Sequence, residues 1–294
     1  MIYTVTLNPA LDKTVEISDF KIDSVNRVEK VRLDAGGKGI NVSRIVNALG
    51  GETVALGILG GYSGKQIENA LSSENIKNEF LMVDTETRTN IKIVDYKNNT
   101  YTDINEGGYL NDNSVIDTLL FELLKVATPH DIVVFAGSLP KGADENTYKI
   151  WINQFAQKGI KVFFDADKNA LKSGIESKPY FIKPNLDELS RLLNKNFIDM
   201  ADIKANAQHI LKSGVKKIAV TMGESGSLLV SEDGAYYAKP LKVDVKSTVG
   251  AGDSFLAAVA ICEQMGKGDA DTLKYAAAVS SAKVMCEGNL APDK

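Results

Sequence analysis

Only two cysteines, Cys262 and Cys286, occur in the 294 residues, far apart and with no histidine near either. That scarcity argues against a disulfide framework or a zinc site and fits a reducing compartment, with both thiols as buried structural groups. Long apolar runs are also missing. No stretch approaches the ~20 residues that span a bilayer, so no membrane partner is expected. The opening Met1-Ile-Tyr-Thr-Val-Thr-Leu-Asn-Pro9 has neither a basic region nor a small-residue cleavage site. It reads as a strand followed by a turn, and a cytoplasmic location is expected. Positive charge is not in excess: a net charge of −4 gives no broad attraction to a phosphate backbone, and no zinc-finger or RNA-binding signature is present. Nucleic acid is therefore not an expected partner, although a few local basic residues can still bind small anions. Repeats, low-complexity tracts and Pro/Ser-rich linkers are absent as well. One domain over 1–294 is favoured, although the length also allows two.

What is present is ordinary globular composition, 44% hydrophobic and 24% charged, arranged in an α/β rhythm. Val115, Ile116, Leu119, Leu120, Leu123 and Leu124 recur at helical spacing, and Ile132 to Phe135 then reads as a buried strand ending at Gly137. Lys161 to Asp165, Tyr180 to Ile182 and Lys217 to Thr221 continue the pattern. Alternation of this kind predicts a mostly parallel sheet covered by helices, with ligands at the carboxyl ends of its strands. Two segments depart from it. Residues 12–34 and 88–106 contain stretches that alternate apolar and polar side chains, as in Val15-Glu-Ile17 and Ile91 to Tyr96. Each reads as a half-solvated antiparallel strand pair, and together they would make a small sheet: a lid, a dimer contact or a plain extension of the core.

Two glycine clusters precede helices. In Thr248-Val-Gly-Ala-Gly-Asp253 the N–H groups of Gly250, Ala251 and Gly252 would form an anion site at the start of the helix. Asp253 is out of place if phosphate alone binds there. It fits a base that takes a proton from a hydroxyl, or an acid that stabilises the helix dipole. In Asp34-Ala-Gly-Gly-Lys-Gly-Ile-Asn41, Gly37 permits close backbone approach, and Lys38 and Asn41 offer a cation and an amide. This is not a Walker A loop. The nearest candidate, Gly60 to Gln66, has three residues between its glycines and Gln after Lys; the glycines of 57–64 also lack dinucleotide-binding spacing.

Seven motifs stand in order: Asn8-Pro-Ala-Leu-Asp12, Gly36 to Asn41, Thr87-Arg88, Gly137-Ser-Leu-Pro140, Lys183-Pro-Asn-Leu-Asp-Glu-Leu189, Thr221-Met-Gly-Glu-Ser-Gly226 and Gly250 to Asp253. Over almost the whole chain they resemble the PfkB (ribokinase-like) carbohydrate kinases, and most of all the branch that acts on phosphosugars. The resemblance implies a three-layer α/β/α fold with a small β-sheet lid, ATP and Mg²⁺ as cofactors, and Asp253 as the general base. It implies that Asp12, Gly37, Lys38 and Asn41 hold the sugar, with Asp12 as a turn cap the alternative. Arg88 would pair with the substrate's phosphate, unless it makes a surface ion pair, and Ser138 would add a hydroxyl. Arg27 would reach the phosphate across a lid-mediated homodimer or would be a solvated charge.

Asn185 and Glu188 would hold Mg²⁺ through water, or they form a helix-capping pair. Lys183 would approach the phosphates of ATP, and Thr221, Gly223 and Gly226 would form the nucleotide loop, unless they are ordinary turn residues. The C-terminal Gly288 to Pro292 is expected to end near the nucleotide. The implied reaction is phosphorylation of fructose 1-phosphate at its 6-hydroxyl. Tagatose 6-phosphate is the alternative substrate, and a non-catalytic sugar-phosphate sensor is the reading from another class.

Overall fold

The computed structural model describes residues 1–292; Asp293 and Lys294, the end of the expected 1–294 domain, lie outside the described residues. Strand β1 (Ile2–Thr6) leads into β2 (Ala10–Ile17) and β3 (Lys30–Gly36), and helix α1 (Lys38–Ala48) follows at once. Next come β4 (Thr53–Gly60), α2 (Gly61–Ser73), β5 (Asn78–Val83), β6 (Thr89–Asp95), β7 (Thr100–Asn105) and α3 (Ser114–Val126). The alternating part is β8 (Ile132–Ala136), α4 (Thr147–Gln157), β9 (Lys161–Asp165), α5 (Lys168–Ile175), β10 (Phe181–Ile182), α6 (Leu186–Leu193), α7 (Met200–Leu211) and β11 (Lys217–Thr221). The chain closes with β12 (Ser227–Ser231), β13 (Gly234–Ala238), α8 (Ala251–Gln264) and α9 (Asp269–Val284).

Nine of these strands form one sheet in the order β13-β12-β11-β10-β9-β8-β1-β4-β5. Pairing is parallel from β11 to β5, and β12 and β13 add an antiparallel edge. A parallel strand covered on both faces needs apolar side chains on both. Within β8, Val133 and Phe135 enter the core under α3 and α4, while Ile132, Val134 and Ala136 enter the core under α1, α8 and α9. Edge contacts of Phe135 with Trp151 and Phe155 pack the first of these layers. Strand β4, buried along its whole length, carries Gly57 and Gly60 of the 57–64 glycine run, where a Cβ would collide with the backbone oxygens of Thr6 and Thr85. Its glycines serve strand packing.

The second sheet has the order β3-β2-β6-β7. Its two antiparallel hairpins are the two alternating segments of the sequence, and they join by parallel pairing of β2 with β6. Val15, Ile17 and Ile93 make a small core on one face, while β7 is exposed throughout. Of the two thiols expected to be buried, Cys262 is, but Cys286 is only half-buried, because it follows the end of α9 where the helix leaves the core.

Candidate active site

The parallel strands end on one edge of the sheet, and the sequence places polar groups at those ends: Asp165 at the end of β9, Lys183 after β10 and Thr221 at the end of β11. The glycine turns opening α1 and α8 add Lys38, Asn41 and Asp253. Asp165 is 1% exposed and takes Lys38 Nζ at 2.8 Å on one oxygen and Lys183 Nζ at 3.0 Å on the other. Burial alone would raise its pKa, but the two lysines outweigh burial and hold it below the usual carboxylate range. Burial would likewise discharge Lys38; Asp165 and then Asp253 outweigh that effect and keep it charged.

Asp253 is the buried acid in the first turn of α8. Burial pushes its carboxyl up to about 6, with Lys38 opposing, Asp165 adding, and Asn41 and Lys183 opposing. Asn41 Nδ2 donates to Asp253 Oδ2 at 2.8 Å. The orientation of that amide is set from behind: Arg44, one turn along α1, donates from Nη1 to Asn41 Oδ1 at 3.1 Å and from Nε to Glu74 at 2.6 Å. Because the Asn41 oxygen is engaged by Arg44, its NH₂ group faces the carboxylate.

Gly250 enters α8 with φ 75, a conformation in which side chains other than glycine are strained. Of the three N–H groups expected to form the anion site, that of Ala251 turns back to Thr248 O at 3.3 Å. The amide of Gly252 is not tied into the helix, as expected at a second helical position. A Cβ at Gly252 would stand 3.1 Å from Lys183 Nζ, so the lysine and the glycine turn share one small space. That space is positively polarised by the helix dipole as well as by Lys183.

Asp12 lies beside this cluster, at the base of β2. The parallel register of β2 with β6 puts Asn90 opposite it, and Asn90 Nδ2 donates to Asp12 Oδ1 at 2.9 Å. Asn289 Nδ2 reaches the other oxygen at 3.3 Å. Burial raises the Asp12 pKa, and these two amides oppose it. A Cβ at Gly36 would collide with this carboxylate, so the glycine makes room for Asp12. The C-terminal segment thus reaches Asp12 through Asn289.

Arg88 does not form a surface ion pair. Its guanidinium is half-buried and donates to Asn8 O, to Asn90 Oδ1 and to Glu106 O. Ser138, exposed after β8, accepts from Asn8 Nδ2 at 3.1 Å, so Asn8 links Arg88 to Ser138. Arg27 is not brought to this group: it sits exposed in the loop between β2 and β3.

At the end of β11, Thr221 N donates to Pro184 O at 3.2 Å, and Met222 N to Gly226 O at 2.9 Å. Thr221, Gly223 and Gly226 thus form a tight loop against the Lys183 to Asn185 segment. Asn185 and Glu188 form a full capping box, each side chain bonded to the other's backbone N–H at 2.8 Å. One Glu188 oxygen is left over, and its charge is felt at Lys38. No cluster of three or more His, Cys, Asp or Glu is present among the described residues. Such a donor set suits a hydrated divalent cation held by one carboxylate and substrate oxygens, not a protein cage.

Sequence reasoning missed Asp165, Arg44, Asn8, Asn90 and Asn289. A carboxylate closing a buried parallel strand was the available signal for Asp165; the others become visible only once strands and termini converge.

The family model for "pfkB family carbohydrate kinase" matches residues 5–294. The 1-phosphofructokinase of Haemophilus influenzae is 34% identical over 281 residues, covering 95% of this chain and 90% of that protein. The tagatose-6-phosphate kinase of Staphylococcus epidermidis is 33% identical over 299 residues, covering 100% of this chain and 96% of that protein. A crystal structure of phosphofructokinase-2 from Escherichia coli in complex with fructose 6-phosphate superposes with a TM-score of 0.91 at 28% identity, covering 97% of this chain and 93% of that one. The fold is ribokinase-like. No helix among the described residues is long and apolar enough to cross a membrane.

Proposed function

This chain belongs to the pfkB family of carbohydrate kinases, and on that premise we propose that it transfers the γ-phosphoryl group of ATP to the 6-hydroxyl of fructose 1-phosphate. The observation that carries the reading is Asp253: a buried carboxylate with a pKa of about 6, in the first turn of a helix opened by a glycine turn, held by Asn41 and facing Lys38. Such a group is ionised near neutral pH yet basic enough to accept a hydroxyl proton as the oxygen attacks phosphorus. Lys183 and the amides around Gly252 offset charge on the transferred group, while Lys38 and Asp165 hold the surrounding charges in place. Asp12, Gly37, Lys38 and Asn41 bind the sugar. Arg88 has no carboxylate within ion-pair distance among the described residues, and its guanidinium, which donates to Asn8 O, Asn90 Oδ1 and Glu106 O, would exchange some of these bonds for the sugar's phosphate, next to Ser138.

Asn185 and Glu188 would hold Mg²⁺ through water, and that ion would neutralise charge on the ATP phosphates. Thr221, Gly223 and Gly226 hold the nucleotide. The four-stranded sheet acts as a lid that excludes water. Val31 (51%) and Leu33 (48%) of β3 and Ile22 (90%) and Val25 (83%) of the β2–β3 loop are exposed apolar side chains that a second copy of the chain would cover. Arg27, on the same loop, would then approach the partner's site.

Preference for fructose 1-phosphate rests on the 1-phosphofructokinase relatives. The tagatose-6-phosphate kinase relatives, at similar identity over the full chain, support tagatose 6-phosphate as the second reading. Side-by-side kcat/KM values on fructose 1-phosphate, tagatose 6-phosphate and fructose 6-phosphate, read as ADP release, decide between them. Highest efficiency on either of the other two sugars overturns the first choice, and no ADP release with any of them leaves only a binding role.

A further inference from the structure

Lys283 lies on α9 and is 2% exposed. No carboxylate lies within ion-pair distance among the described residues; its Nζ donates to Gly288 O at 2.6 Å. A Cβ at Gly250 would stand 3.2 Å from Lys283 Cε, so the side chain runs directly behind the glycine turn that opens α8. Burial depresses the ammonium's pKa and Arg44 opposes its charge as well, while Asp253 and Asp34 favour it.

A buried ammonium without a bonded anion carries a desolvation penalty, and an apolar side chain of the same length would avoid it. Asp253 and Asp34 offset part of that penalty, and negative charge on the other side of the glycine turn would offset more. Its one bond also matters, because Gly288 immediately precedes Asn289, the residue that donates to Asp12.

We propose that Lys283 is a positioning residue for phosphoryl transfer. Its ammonium backs the Gly250 turn with a fixed positive charge, which stabilises the phosphoryl group at the start of α8, and its bond to Gly288 O holds the C-terminal loop so that Asn289 meets Asp12. It acts through the turn and the loop without touching the substrate. The inference rests on the kinase reading above, so its test includes a readout that does not need a phosphorylated product.

In Lys283→Met the charge is lost while the packing volume is kept. That variant should melt close to the wild type, lose at least ~10-fold in kcat, and keep KM for ATP and sugar within about threefold. Its affinity for ADP with Mg²⁺ and aluminium fluoride, a mimic of the phosphoryl group in transit, should fall ~10-fold while affinity for ADP alone stays within about threefold. In Lys283→Ala, added ethylammonium should restore part of that affinity by returning the charge to the vacated space. Wild-type affinity of Lys283→Met for the aluminium fluoride complex overturns the proposal. So does a Lys283→Ala that ethylammonium leaves unchanged, since the role is then packing alone. If the wild type releases no ADP with any phosphosugar, the kinase reading fails, and the aluminium fluoride titration still decides the role of Lys283.

Discussion

Asn41 Nδ2 donates to Asp253 Oδ2 at 2.8 Å, joining the first turn of α1 to the first turn of α8 across 212 residues. One amide thus links the glycine turn that opens α1 to the proposed base, and its orientation is held by Arg44.

Removing that amide should raise the Asp253 pKa further, because a hydrogen bond to a carboxylate favours its charged form. A bond of this kind is worth about 1.5 to 3 kcal/mol, or roughly one to two pKa units. Asn41→Ala is therefore expected to move the acid limb of kcat upward by about that much, with activity recovering at higher pH. Arg44→Met should shift it the same way by less, since the amide is freed to turn but not removed. A pH–rate profile identical to the wild type in both variants would disprove the link.

Asp253→Asn should keep the fold and nucleotide binding and lower kcat by at least ~10²-fold. In the wild type, activity should fall as pH drops through about 6, where the carboxylate protonates. The stability effect has the opposite sense. A pKa raised from 3.8 to about 6 on folding means that ionising Asp253 costs about 2 to 3 kcal/mol once the pH exceeds the folded value. Asp253→Asn should therefore unfold at a higher temperature than the wild type at pH 7.5, and the difference should vanish below about pH 4. Near-normal turnover removes Asp253 from the base role, and a lower melting temperature contradicts the electrostatic account.

Arg88 holds its guanidinium on Asn8 O and Glu106 O. Arg88→Lys keeps one charge and loses the fork, so KM for the phosphosugar should rise at least ~10-fold with kcat changed by less than about threefold. The same sugar without its phosphate should discriminate poorly between the two proteins. An unchanged KM would move the phosphate site elsewhere.

The lid's exposed apolar side chains predict a dimer. Light scattering during gel filtration should give twice the chain mass for the wild type, and the chain mass for a protein carrying Ile22→Asp and Val25→Asp, because charge on a face meant to be dry opposes association. A monomeric wild type rules out the lid as a stable contact.

Period and punctuation were legible in the sequence because they are local. The alternating segments became the second sheet, the helix-spaced leucines of 115–124 became α3, and the glycines before Asp253 opened α8. The capping competence of Asn185 and Glu188 was legible too, and the structure realises it. Less accessible was the parallel seam between β2 and β6, which brings Asn90 opposite Asp12. Neither strand's own pattern specifies which hairpin edge meets which.

The ordered motifs of this chain determined by themselves its family resemblance, its α/β class and most of the residues proposed to act. Tertiary structure alone decided the charge pairing: Asp165 lies between Lys38 and Lys183, Arg44 sets the amide that holds Asp253, and Lys283 runs behind Gly250 with no carboxylate partner among the described residues. The reason is physical. A residue's conformational preference depends on its neighbours in sequence, but the energy of a buried charge depends on which distant strand ends and helix starts surround it after folding.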